Sequence, residues 1–332
     1  MGPALVVGIG LLGGLGCGGS GDSGESGGSG GAVSAGVTSS APSAAELDGG
    51  SPPPGGDAGA PGAESPQATL GREAAAHRER PSGALLERAC SFEEAVCVHG
   101  AVGVSAGALG ATLRHAEGAL RVQRALGIPP PLPDGLFGGS PALDIYVMPG
   151  SEAPFVSIDA EMRIGQFDRS SAFLILPPPD SWDFCEARFR TARAVAEASF
   201  MGLDAGAEGG ILRMAASYLA SLGGPCAPIE MPAIDAFQRF PERAITEPPI
   251  EGFFDGAFLF PWYLDEAYGT GRPGSVIVGL IAVAAQRTPP GAWNFHNEPD
   301  VFDALRPVVR ERGVTLDDVL LDFTVARAFL GS

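Results

Sequence analysis

The segment that decides the fold runs from Ser171 to Met201 and reads SAFLILPPPDSWDFCEARFRTARAVAEASFM. Ser171 to Leu176 is a short apolar run of strand length. Pro177-Pro178-Pro179 ends it, because proline brings no donor to a ladder. From Phe184 to Met201 the composition turns to Ala, Arg and Glu at helix-favouring density. A sheet therefore stops and a helical region starts within this one stretch. Upstream, Ala142 to Met148 alternates and carries Ile145 and Val147, which predicts a strand, and Phe155 to Met162 predicts another. Leu109 to Leu126 predicts an amphipathic helix through Leu113, Ala116, Leu120 and Leu126, stopping at Gly127. The four prolines of Ile128 to Asp134 require an extended or turned chain. Downstream, helices are expected over Ile211–Leu222, Gly256–Tyr268 (aromatic-rich and interrupted by Pro261), Gly274–Gln286, Pro299–Arg312 and Leu316–Leu330. The last has Thr315 as N-cap, Asp318 in the capping-box position and Gly331 at its end. A sheet-forming N-terminal half followed by a mainly helical C-terminal half is an α+β domain.

This domain does not occupy the whole 332-residue chain. From Gly18 to about Pro81 the residues are Gly, Ser, Ala, Pro and scattered acids, with almost no large apolar side chain. Such a segment cannot offset an ordering entropy of roughly 1–2 kcal/mol per residue. The expected organisation is a signal at 1–17, a disordered stalk at 18–84 and a globular domain at 85–332. The formal net charge is -18 and every basic residue is Arg, as the chain has no Lys. That balance disfavours nucleic acid and a polybasic grip on anionic lipid, and suits solubility outside the cytoplasm.

Ala4 to Leu15 is an apolar run of signal-peptide length, too short for a bilayer core of roughly 30 Å. Cys17 follows Leu15-Gly16 directly, which resembles the lipobox of bacterial lipoproteins. Two features depart from that pattern: Gly14 stands where Leu is usual, and no basic residue precedes the run. The resemblance implies export, lipid on Cys17 and residence in the cell envelope, at the outer membrane. The other four cysteines, Cys90, Cys97, Cys185 and Cys226, have no CxxC spacing. An even number in an exported chain favours disulfides over a metal. Of the three possible pairings, Cys90–Cys97 and Cys185–Cys226 are preferred, the second tying the ends of a helical pair. Chain entropy gives ~2.5 kcal/mol for the short loop and ~4 kcal/mol for the long one.

The order of segments from Leu109 to Leu330 resembles secreted bacterial zinc metalloproteases of the gluzincin type. The residues that carry the likeness are Pro131-Leu132-Pro133-Asp134-Gly135, Gly138-Gly139-Ser140 leading into Leu143-Asp144-Ile145-Tyr146-Val147, and Arg169-Ser170-Ser171-Ala172-Phe173. Phe258-Leu259-Phe260 and Tyr263-Leu264 are similar to the aromatic helix that follows the family's site. The resemblance implies a zincin-like fold. It also implies His-Glu-x-x-His on one helix, two imidazoles on one face with the Glu as base, and a Glu ligand on the next helix. Kept in register, Arg193 stands for the first His, Ala194 for the base, Glu197 for the second His and Met214 for the third ligand. The four histidines are His77, His99, His115 and His296, so no imidazole lies on the helices between. The expectation is a degenerate site that holds no metal or cofactor: a pseudoenzyme.

Arg193 and Glu197, four apart on a helix, also suit an intrahelical ion pair. Glu197, Asp204 and Glu208 form an acidic cluster that reads either as solvated helix-end carboxylates or as oxygens for Ca²⁺. No GxSxG elbow occurs, and Gly269-Thr270-Gly271 lacks the Lys of a phosphate loop. The aromatic residues Phe258, Trp262 and Tyr263 read either as core or as one wall of a surviving peptide cleft. The function these features lead to is a surface lipoprotein that binds peptide or protein. An active hydrolase with an unrecognised residue set and a structural envelope protein are the competing readings.

Overall fold

A computed structural model describes residues 79–81, 85–163, 169–245, 252–284 and 299–329. The signal and Cys17, the stalk up to residue 78, His77, the loop around His296 and the terminal Gly331 lie outside the described residues. The strands are β1 (Leu85–Cys90), β2 (Val96–Ala101), β3 (Leu143–Val147), β4 (Phe155–Arg163) and β5 (Ser170–Leu176). The helices are α1 (Ala106–Leu126), α2 (Phe184–Met201), α3 (Gly209–Leu222), α4 (Ala227–Gln238), α5 (Phe253–Gly256), α6 (Leu259–Tyr268), α7 (Ser275–Ala284), α8 (Val301–Arg310) and α9 (Leu316–Phe329). The domain is thus mixed α+β, with its sheet in the first half.

The five strands lie in the order β1-β2-β3-β5-β4. β2, β3 and β5 are parallel, while β1 and β4 are antiparallel edges. Helix α1 is the crossover that parallel neighbours β2 and β3 require. Ser105 caps it, accepting from the Ala108 amide, and Gly127 ends it at φ 76°, where a side chain would be strained.

Period-two alternation divides the sheet into two unlike faces. Val96, Val98, Ile145, Val147, Leu174, Leu176, Val156 and Ile158 point one way and join the main hydrophobic core with Leu109, Ala116 and Leu120 of α1 and Val195 and Ala198 of α2. The opposite face carries His99, Asp144, Tyr146, Ser171, Phe173 and Asp159, all buried. A polar face buried in this way is the main departure from an ordinary two-layer domain.

Helix α3 is the centre of the helical half, buried from Gly210 to Ala220 except at Arg213. The expected Gly256–Tyr268 helix is two helices, separated at Ala257–Phe258. Pro261 is tolerated in the first turn of α6, where its missing N–H leaves no bond unmade. The α9 cap is as expected: Asp318 N donates to Thr315 Oγ1 at 3.1 Å, and Thr315 N to Asp318 Oδ2 at 3.0 Å.

Candidate functional site

The first candidate is the place where the gluzincin register puts metal. Arg193 and Glu197 are one turn apart on α2, and their ion pair is present, with Nε and Oε1 3.6 Å apart. The stronger partner is Asp255 of α5. Arg193 Nη1 donates to its Oδ1 at 2.5 Å, and Arg213 forks onto both oxygens at 3.0 and 2.9 Å. Ser217, one turn beyond Arg213, adds a hydrogen bond at 3.2 Å. The side chains converge because positions four apart share a helix face. Although burial opposes ionisation, the two guanidinium groups hold the Asp255 carboxyl well below its usual range. Burial pushes Glu197 up, against the pull of Arg193 and Arg213. Ala194 and Met214 lie elsewhere, within the hydrophobic core. The residues do not fit zinc: two fixed cations already surround the carboxylate, one of them where an imidazole would stand.

The second site lies on the polar face of the sheet and was not expected. β2 and β3 align His99 with Tyr146, and β3 and β5 align Asp144 with Phe173. His99 Nε2 lies 2.7 Å from Asp144 Oδ1, and its ring stacks on Tyr146 at 4.9 Å between centroids. From β5, Ser171 Oγ donates to Asp159 Oδ2 at 2.8 Å. Into this cluster reaches Arg80, a residue that sequence composition assigns to the stalk. Its Nε and Nη2 fork onto Asp159 at 2.9 Å each, and its Nη1 donates to Asp144 at 2.5 Å. The guanidinium carbon lies 4.9 Å from the centre of the Phe173 ring and 5.8 Å from that of Phe137.

Asp134 completes the cluster from the loop before β3. Its Oδ1 accepts from the Leu136 amide at 3.0 Å. Its Oδ2 forms an ion pair with Arg80 Nη2 at 2.7 Å. Burial raises the Asp134 carboxyl, and the neighbouring Asp144 adds to the rise. Asp144 is held down in spite of its own burial by the His99 hydrogen bond and then by Arg80. The loop approaches so closely that a Cβ on Gly138 would overlap the Asp144 carboxylate.

The remaining candidates resolve simply. Cys90 pairs with Cys97 across the β1–β2 hairpin, and Cys185 at the start of α2 pairs with Cys226 just before α4, as preferred from sequence. Among the described residues, the one group of three potential metal ligands in mutual reach is Asp183, Cys185 and Cys226, whose thiols are spent on that disulfide. Glu197, Asp204 and Glu208 do not converge as a Ca²⁺ site would require. Glu208 is instead buried at the N-cap of α3, and among the described residues its Oε1 has no hydrogen-bond partner. Burial, with a smaller push from Asp300, raises its carboxyl to about 7. Phe258 is core, stacked on Trp262. Tyr263 is half-buried against Phe323, and Trp262 shows a partly exposed ring.

No protein-family model and no curated protein matches this chain. These comparisons assign it to no family.

Two signals in the sequence could have found them. Phe253-Phe254-Asp255 sets a carboxylate in an apolar run, which demands a buried cation partner. The strand Leu143-Asp144-Ile145-Tyr146-Val147 sets Asp144 and Tyr146 on one face, opposite the apolar residues. Arg80 carries no such signal, since it stands alone in a low-complexity stretch.

Proposed function

We propose that this is an exported, lipid-anchored protein whose globular domain is a non-catalytic, zincin-like module that binds peptide or protein. The observation that supports the non-catalytic reading is the shared carboxylate of Asp255, clamped by Arg193 and Arg213 where the resembled proteases hold zinc. Three helices are tied at that point by ion pairs, so the charged groups there serve cohesion. The zincin-like reading rests on the order of sheet, α2 and α3. The anchoring reading rests on the apolar run that ends at Cys17. Among the described residues no helix is long and apolar enough to cross a membrane.

The anchoring is tested by Cys17→Ser, expressed with its own signal. The variant should leave the membrane fraction while the parent stays in it, because acyl chains contribute about 0.8 kcal/mol per buried CH₂. Retention of Cys17→Ser in the membrane would refute the anchor. Metal content and chelator-sensitive cleavage test the non-catalytic reading.

A further inference from the structure

We propose that the polar face of the sheet is an arginine-recognition site, which the chain's own Arg80 fills as a tethered pseudo-ligand and which an arginine of a bound peptide takes over. The inference rests on the peptide-binding reading above and names the ligand class.

The site has the chemistry of guanidinium recognition. Asp159 meets Arg80 with two parallel hydrogen bonds at 2.9 Å, a geometry that a planar fork satisfies and an ammonium does not. Asp144 takes the other terminal nitrogen, and the Phe173 ring lies under the guanidinium carbon. Three buried carboxylates, Asp134, Asp144 and Asp159, surround this one guanidinium, and the whole chain carries a charge of -18. Both the local and the long-range field therefore draw a cationic ligand.

Within the described residues, Arg80 meets the sheet through its guanidinium. Among the described residues, no backbone hydrogen bond joins residues 79–81 to the sheet, and every hydrogen bond from this segment comes from the guanidinium. These bonds are ones that the guanidinium of another molecule can make in place of Arg80. Covalent linkage raises the effective concentration of Arg80 at the site, so a competitor must add contacts of its own or be abundant. Phe137 and Leu136, both exposed on the loop that carries Asp134, flank the site and offer such contacts.

The test uses the full chain with Arg80→Ala and, in parallel, Arg80→Lys, which keeps a positive charge without the fork. N-acetylargininamide is titrated by calorimetry, with N-acetyllysinamide as the control. The expected result is saturable binding of the arginine compound to either variant, at least about tenfold tighter than the lysine compound. Adding Asp159→Asn should abolish that preference. In the unaltered protein the Nε–Hε signal of Arg80, followed by nitrogen NMR, should move to the free-arginine position as the arginine compound is added. Equal or undetectable binding of the two compounds to the variants would overturn the proposal, as would an Arg80 signal unmoved at saturating ligand. Stoichiometric zinc in the domain would overturn the non-catalytic reading and leave this result untouched, so the two failures are distinguishable.

Discussion

Arg193 of α2 and Arg213 of α3 meet on one carboxylate, that of Asp255, at 2.5 Å and 2.9–3.0 Å respectively. Arg193 is almost wholly buried and, among the described residues, has no other acceptor as close, whereas Arg213 is about half exposed at 46 % of its side-chain surface. The two cations therefore depend on Asp255 unequally. Loss of the acid would strand Arg193 in the interior, while Arg213 could turn to solvent.

Asp255→Asn should accordingly destabilise the domain by about 3 kcal/mol, within the range for breaking a buried pair and leaving its partner charged. Urea unfolding at neutral pH measures it. Because the folded state depresses the Asp255 carboxyl, its contribution is complete above the unfolded value of about 4 and is lost only as pH falls through the folded one. The gap between parent and variant should therefore stay constant from pH 8 to roughly 4 and close only in stronger acid. A variant as stable as the parent at pH 7 would mean the ion system contributes no cohesion.

Glu208 behaves in the opposite sense. Its folded carboxyl is raised to about 7, so the folded state favours the protonated form. The associated stability is complete below the unfolded value of about 4.3 and declines as pH rises through 7, by at most about 1.4 kcal/mol per pH unit. Glu208→Gln, which stays neutral, should flatten stability between pH 5 and 8 and exceed the parent at pH 8. Parallel pH profiles for the two proteins would contradict this.

Two glycines separate close approach from mere flexibility. Gly138→Ala should cost about 1–3 kcal/mol, since the new methyl overlaps the Asp144 carboxylate and must displace loop or acid. Gly118 sits within α1 with nothing within 4 Å of an added Cβ. Gly118→Ala should stabilise by about 0.5–1 kcal/mol through helix propensity. Thermal melts of both single variants decide the pair. Equal effects would show that the loop does not press on Asp144.

How much of this was readable depends on which physical signal each element carries. Helix α2 was legible to the residue, Phe184 to Met201, because a triple proline precedes it and Ala, Arg and Glu fill it. Helix α1 starts at Ala106 rather than Leu109, as the capping Ser105 lies ahead of the apolar pattern. Helix α4 was missed because Pro228 and Pro232 break the propensity on which such readings rest. The β1–β2 hairpin was missed as well, for Leu85–Cys90 carries Glu87 and Arg88 in place of a run of β-branched residues. Both disulfides were legible, Cys90–Cys97 from closeness in sequence and Cys185–Cys226 from tying the ends of a helical pair. The Arg193–Glu197 pair was legible, since residues four apart share a helix face. The closer partner, Asp255, lies 62 residues beyond Arg193, a distance no local pattern spans. The Arg80 cluster was illegible for the same reason: residues 80, 99, 134, 144 and 159 meet only once the sheet exists.

In the proposed function, ion pairs between α2 and α3 stand where the resembled proteases hold a metal. Elemental analysis of the purified, chelator-free protein after incubation with excess Zn²⁺ and desalting tests it most directly, read beside cleavage of an unfolded protein substrate. A catalytic zinc needs about three converging N, S or O ligands, and Arg193, Ala194 and Met214 offer none that suits it. The account predicts well under one equivalent of zinc and no chelator-sensitive cleavage. One equivalent of bound zinc, with peptidase activity lost on chelation, would contradict it.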